Sequence, residues 1–471
     1  MDSKKMQNRI ELFENAPIPK MVISFSLPMM LGMLVNVAYN LADTFFIGQT
    51  GDPNQVTAVT ICMPLFMLCM AMGNIFGIGS ASYISRLLGK REYPKAKNVS
   101  AFAFYGSLII GTLYAIAMFI FMDKILWLVG ASENTFKFAK GYLIVIAIGI
   151  PFHVSGFVMS QLVRSEGSAK QAMIGMAIGT VINCALDPLF ISGFGMGVMG
   201  AAVATSASQV VTFVYFVVHF TKKSDVLSLY PRDLKPDGET AKQVFGIGLP
   251  SSLNGLLMSS AGIIFNNFAG SYGDNVIAAL GVTDKIISLP VMLVIGLSQG
   301  LQPVFGYNYA AGLHKRMKST LKFALTVSII FSSAIALAIF AFGGTLVKWF
   351  INDTEVIALG GEFIRKMCWP MPFLCVLFLS TNTFQALGKP LRSLVMSIAR
   401  QGLAFIPSVI ILNHFFGRDG IVFAQPIADI VSSVVAASLV IPLLRTLSNE
   451  DRRIEPEPAP EPQLATADGA Q

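Results

Sequence analysis

Predominantly apolar stretches about 20 or more residues long alternate with short polar connections along the whole chain. They fall at about 21–46, 57–84, 99–121, 138–162, 171–192, 197–219, 243–269, 276–306, 321–342, 357–385, 394–413 and 419–444. A helix of that length crosses the ~30 Å hydrocarbon core of a bilayer. The pattern therefore predicts an all-α membrane protein with twelve transmembrane helices. Several runs contain proline (Pro28, Pro64, Pro151, Pro250, Pro290, Pro370, Pro372, Pro407, Pro426), so kinks are expected.

The basic residues set the orientation. With the amino terminus inside, 26 of the 34 Lys and Arg, Arg400 among them, fall in segments on the cytoplasmic side; 7 fall outside and Lys285 lies within a span. This bias predicts a multi-pass protein of the inner or plasma membrane with both termini in the cytoplasm. The first 20 residues are polar, so no removable signal peptide is expected. The tail from 446 to 471, rich in Pro, Glu and Ala, is expected to be disordered.

The two halves of the chain repeat each other. FSLPMML around Pro28 matches IGLPSSL around Pro250 at offset 222, Pro151-Phe152 matches Pro372-Phe373 at offset 221, and Gly200 matches Gly420 at offset 220. The reading is two pseudo-symmetric six-helix bundles: 1–20 cytoplasmic, 21–220 and 243–445 the two lobes, and 221–242 the charged connecting loop. Two such lobes suit a carrier with a cavity at their interface, whereas a channel or membrane enzyme does not need them.

Ionisable residues inside a span cost ~2.5–3.5 kcal/mol on insertion scales and are functional candidates. The amino half holds Asp43 and Asp187. Asn36, Asn40 and Asp43 share one helix face at i, i+4, i+7, and Asn183 and Asp187 share another at i, i+4. The repeat maps Asp43 onto Phe265, Asn183 onto Ala404 and Asp187 onto Pro407 or Ser408. An ion-handling site confined to the amino half follows, the alternative being plain helix-to-helix bonding. The carboxyl half has its own acids. Asp284 sits beside Lys285 and is neutralised by it or by another helix, or else functional; Asp429 is solvated, packed between helices, or functional. His153 reads more readily as a packed or hydrogen-bonded side chain than as a proton relay.

Composition agrees with the class. The 471 residues are 54% hydrophobic and only 13% charged, which rules out a soluble fold of this size. Five cysteines in apolar stretches, without CxxC spacing, suggest neither a disulfide framework nor a zinc site. The net charge of +7 reflects topology and implies no nucleic-acid partner. No GxxxxGK[ST] motif is present, so ATP is not the direct energy source; a carboxylate in low dielectric can instead exchange H+ or Na+. No other cofactor or metal is expected. The 36 Phe and 23 Met are compatible with an adaptable apolar cavity for lipophilic or cationic compounds.

NLADTFFIG on the first helix, SRLLGKRE after the second, RSEGSAKQA after the fourth, and the pair VINCALDPLFI and GVMGAAVATSASQ resemble the multidrug and toxic compound extrusion (MATE) family. The amino-half polar set is similar to its DinF-like, MepA-type bacterial branch. This resemblance implies an ion-driven antiporter that expels lipophilic, often cationic, compounds by alternating access of two lobes in a monomer. It implies a cation or proton site at Asp43, Asn183, Asp187 and Thr205, with Na+ the one metal ion considered there. Tyr142 becomes a neighbouring or gate residue, with Asn36, Asn40 and Gln209 as further neighbours or cavity residues. The chain departs from the branch whose second half carries an additional acid pair, because the aligned positions here are apolar. A flippase of the same superfamily for lipid-linked oligosaccharides or other amphiphiles is the alternative; it would need several cavity Arg or Lys, and only Lys285 reads as mid-span.

Overall fold

The computed structural model describes residues 11–48, 52–222, 224, 226–235 and 237–454. Among these there is no strand, and long helices follow the apolar runs. They are α1 (Ile18–Gly48), α2 (Pro53–Gly89), α3 (Tyr93–Leu128), α4 (Glu133–Ser165), α5 (Ala169–Pro188, continued by a π-helical turn Leu189–Gly193) and α6 (Val198–Lys222). After a linker with one 3-10 turn come α7 (Gly238–Gly270), α8 (Asp274–Ala310) and α9 (His314–Lys348). Pro28, Pro64, Pro151 and Pro250 sit inside continuous helices.

The tenth span is broken. Its pieces, α10a (Thr354–Met367) and α10b (Met371–Ala386), meet at 54°. Pro370 lies at the break, where it offers no backbone donor to continue the first piece. The last two spans run on from Pro390–Ile398 through a π-helical stretch, Ala399–Phe405, into Ile406–Ile454. Held straight, the 58 residues Pro390–Leu447 of this run would alone reach ~87 Å, far beyond one bilayer. Gly417 breaks the run at φ 57° and ψ −132°. The chain folds back there, because a Cβ on Gly420 would collide with the carbonyl of Leu412. We call the parts before and after Gly417 α11 and α12, which completes twelve spans. α12 stays helical to Ile454, into the segment expected to be a disordered tail; residues 1–10 and 455–471 lie outside the described residues.

At the end of the bundle that carries both termini, a single apolar core joins the halves. Phe13, Phe25, Leu87 and Phe220 of the amino half pack there with Phe305, Phe384 and Leu443 of the carboxyl half. At the far end the cores are separate. Cys62, Met118, Tyr142 and Val198 form one in the amino half; Val276, Phe363 and Val422, and Ile286, Ile339 and Ile364, form others in the carboxyl half. The cleft between the halves therefore opens away from the termini.

The closed end is a seam of α2 against α7 and α1 against α8. Lipid is as apolar as leucine, so close backbone approach rather than hydrophobic exclusion holds membrane helices together. A Cβ on Gly79 would strike the carbonyl of Val244, and one on Gly248 would strike that of Ile75. Polar groups then cross the seam. Arg86 donates through Nη2 to Gln243 Oε1 (3.0 Å), Arg164 through Nη1 to Gln299 Oε1 (3.0 Å), and Ser252 to the Ala71 carbonyl (2.6 Å). Lys95 meets Glu239 at 2.5 Å at the rim. Just before α7, Asp237 caps the helix by accepting from the Glu239 N–H (3.1 Å), a bond that holds its carboxyl below the usual range.

Candidate functional site

In the outer part of the amino half the structure brings together the acids that the sequence separates by 144 positions. Asn183 and Asp187, one turn apart on α5, are fully buried. Asn183 Nδ2 donates to Asp187 Oδ1 at 3.3 Å and to Thr205 Oγ1 of α6 at 3.4 Å. The start of α6 is fixed by Gln55 of α2, whose side-chain oxygen accepts from the Val198 N–H at 3.0 Å. On α5, the π-helical turn directly after Pro188 widens the helix beside Asp187; such turns often sit at functional sites.

α1 supplies the remaining face. Asp43 is half-buried and lies within electrostatic reach of Asp187, and Tyr142 of α4, buried, lies within reach of both acids. Tyr39 completes the ring, with its hydroxyl 3.5 Å from Thr205 Oγ1. Sequence reading passed over Tyr39, although its place four residues before Asp43 puts it on the same face. Asn40 donates to Asn36 Oδ1 (3.2 Å) and to its carbonyl (2.8 Å); both are exposed and bond along α1.

Three oxygens of the cluster, Asp43 Oδ1, Asn183 Oδ1 and Asp187 Oδ2, are buried with no hydrogen-bond partner. Native structures leave few such groups, and each calls for an explanation. Carboxylate, amide and hydroxyl oxygens are the hard donors that suit Na+ or a shared proton. The matching positions of the carboxyl half are filled with hydrocarbon: the Phe265 ring packs tilted against Phe405, 5.9 Å between centroids, beside Ala404 and Val409.

Next to this cluster, α2, α4 and α6 border a small, half-open pocket. Thr205, Ser206, Gln209 and His153 line it, with Phe66, Ile146 and Ile150 among its apolar walls. Thr205 thus faces the pocket and binds Asn183 at once.

The carboxyl half carries a different arrangement. Arg400, counted above among cytoplasmic charges, lies in the π-helical stretch of α11; its Nε donates to Asp429 Oδ1 at 2.8 Å. Gln425 bonds the same oxygen at 2.7 Å. Arg400 is therefore a second basic residue within a span, which corrects both the charge count and the statement that Lys285 stands alone there. The apolar run 394–413 already contains it, while the charge count sets it among the cytoplasmic residues. Asp429 is a helix-to-helix tie and is not solvated. Asp284 is exposed, and the charge that reaches it is Arg400; Lys285 makes no ion pair with it. Arg400→Ala would leave Asp429 buried and unpaired, costing about 3–5 kcal/mol, whereas Arg400→Met with Asp429→Leu is expected to be near neutral or stabilising. Thermal unfolding in detergent separates the two outcomes.

The family model described as MatE matches the chain twice, over residues 28–189 and 250–410. The chain belongs to the MatE family. Its relatives include the multidrug export protein MepA of Staphylococcus saprophyticus, 33% identical over 93% of this chain and 97% of that one. MepA of Staphylococcus aureus strain MSSA476 is 34% identical over 92% and 95%. Among solved structures, a multidrug resistance MATE transporter in an outward-facing conformation superposes with TM-score 0.88 at 27% identity, over 93% of this chain and 98% of that one. A MOP-superfamily transporter from Pyrococcus furiosus, whose description notes a binding pocket of reversed polarity, gives 0.87 at 27% identity, over 93% and 98%. MatE proteins are transporters, not enzymes, and this chain is a multi-pass membrane transporter built on their fold.

Proposed function

We propose that this MatE protein is a secondary active exporter of lipophilic and cationic drugs, driven by inward movement of H+ or Na+ and working by alternating access of its two halves. The observation that carries this reading is the acid, amide and hydroxyl cluster Asp43, Asn183, Asp187 and Thr205. It holds three buried, unpartnered oxygens and is present in one half only. A cation or proton there replaces the donors that the protein does not supply, and its arrival or loss changes which arrangement of the half is stable. The MepA relatives are named for multidrug export, which supports the cargo class. The open cleft and opposite seam fit a state facing outward, with the seam and both termini on the cytoplasmic side of the plasma membrane. The working unit is a monomer.

The flippase alternative finds little support. Arg400 is compensated by Asp429, and Arg86 and Arg164 are held by glutamines of the closed seam, so none of the three lies free to meet a pyrophosphate.

The test is ethidium transport in proteoliposomes with H+ and Na+ gradients imposed separately. At least one gradient is expected to drive uphill movement that an ionophore abolishes. Uphill movement without any ionic gradient, or passive flux indifferent to gradients, refutes the reading.

A further inference from the structure

Ahead of α1 the chain makes one more structured piece. Residues 11–14 are helical, and the N–H groups of Asn15 and Ala16 both donate to the Glu11 carbonyl (2.8 and 3.0 Å). Pro17 ends that turn because its ring nitrogen carries no hydrogen to continue it. α1 then starts afresh, with the Met21 N–H bonded to the Pro17 carbonyl at 3.0 Å. The piece is a short strap hinged on α1 and not its first turn.

The strap lies across the closed seam and touches both halves. Phe13, only 3% exposed, belongs to the apolar core that joins them. Its ring stacks on Tyr307 of α8 at 4.6 Å between centroids and tilts against Phe25 of α1 at 5.0 Å. On the amino-half side it fills the space beside Gly167, in the turn between α4 and α5, where a Cβ would come within 3.0 Å of the ring. Glu14 does the same with polar atoms. Its Oε1 accepts from the Tyr307 hydroxyl at 2.7 Å and lies 3.7 Å from Arg91, in the turn between α2 and α3.

The two attachments differ in kind. Arg316, in the first turn of α9, donates through Nε to the Phe13 carbonyl (2.6 Å) and through Nη2 to that of Ala16. Carbonyls at the end of a helical turn lack partners in their own helix, and a guanidinium fork supplies charge-assisted bonds to them. The Arg91 side chain is largely exposed, so its pairing with Glu14 contributes little. The strap is therefore tethered to α1 by the chain and fastened to the carboxyl half by Tyr307 and Arg316. α1 also packs on α5 of its own half, so parting of the halves at this end pulls the strap off Tyr307 and Arg316.

We propose that residues 12–16 are a latch, with Phe13 and Glu14 as its engaging side chains, and that their undocking from Tyr307 and Arg316 gates the opening of the seam on the termini side. The latch adds to the closed state only, because its contacts exist only while α8 and α9 stand beside the amino half. Removing it shifts the balance toward the open seam; holding it docked stops the cycle.

This inference rests on the alternating-access reading, and two readouts keep them apart. The first needs no transport. Full-length protein carrying the reporter Ser80→Cys is labelled with an impermeant maleimide from the termini side, against the same protein without the reporter. Phe13→Ala is expected to speed labelling at least about 10-fold, since a buried ring is lost from the closed state alone. Should that variant fail to fold, Arg316→Gln removes the guanidinium fork and is expected to speed labelling several-fold. Unchanged labelling in the folded variant overturns the proposal. In the second, Phe13→Cys with Tyr307→Cys is joined by a short reducible thiol linker and gradient-driven ethidium efflux is measured in proteoliposomes. Efflux is expected to fall at least about 10-fold on linking and to return when the linker is cleaved, which a merely destabilised protein would not do. Ala16→Cys with Arg316→Cys serves if the first pair does not fold. Undiminished efflux with the strap linked overturns the latch. A wild-type protein whose efflux responds to no gradient refutes the ion-coupled reading instead, and the labelling still decides the latch.

Discussion

Asparagine in place of Asp43 abolishes gradient-driven efflux, and asparagine in place of Asp187 severely weakens it, while the protein remains folded. The expectation follows from what the amide keeps and what it loses. At position 187 the new carboxamide oxygen still accepts from Asn183, so the α5 to α6 contact through Thr205 survives. What disappears is the charge that a cation or proton meets. A carboxylate held away from water with too few donors is a destabilising element retained for function, so its neutral replacement should leave the melting temperature unchanged or raised. The combination to be measured is lost transport with intact or higher stability. Efflux by the Asp43→Asn, Asp187→Asn double variant at the wild-type rate would sink the site assignment. A fall in stability parallel to the fall in transport would make the acids structural ties.

How far this site could be read from the chain depends on whether its contacts follow helical spacing. Asp43, Asn183 and Asp187 were legible because each acid has an amide within two turns on its own face, and because the repeat shows Phe265 and Ala404 where the partners should be. In the fold those two residues do pack in hydrocarbon. Thr205 and Tyr142 entered only through family resemblance, since their proximity to the acids is created by packing of α4 and α6. The environment of His153 was illegible for the same reason: the pocket it borders is walled by three helices. Arg400 and Asp429 were misread as separate events because their bond closes across a hairpin at Gly417. The twelve spans were legible from run length alone, and the 54° break at Pro370 falls at one of the prolines where a kink is expected.

The seam offers a test with two opposite signs. On one side, Gly79→Val or Gly248→Val forces a side chain into the backbone of the facing helix, where no flexible atom can yield. The two halves must part at the end that carries the termini. On the other side, Gln243→Glu and Gln299→Glu place a carboxylate against Arg86 and Arg164, which now bond neutral amide oxygens across the seam. The Arg–amide bonds are already charge-assisted on the donor side; a carboxylate acceptor makes each an ion pair, so each change is expected to favour the closed seam. A carrier must leave its closed seam in every cycle, so both kinds of variant are expected to transport poorly, with the glycine variants losing most. Their conformations should diverge. A reporter cysteine in place of Ser80, which is fully buried beside Gly79, should react faster than in wild type with an impermeant maleimide added from the termini side in the valine variants, and more slowly in the glutamate variants. Neutral glutamines then have a clear role: they satisfy two guanidinium groups while the seam is shut, yet release them without separating opposite charges in a poorly solvating interior. Equal labelling in all four variants would mean that the halves do not part at this seam, and the rocking motion would have to be placed elsewhere in the bundle.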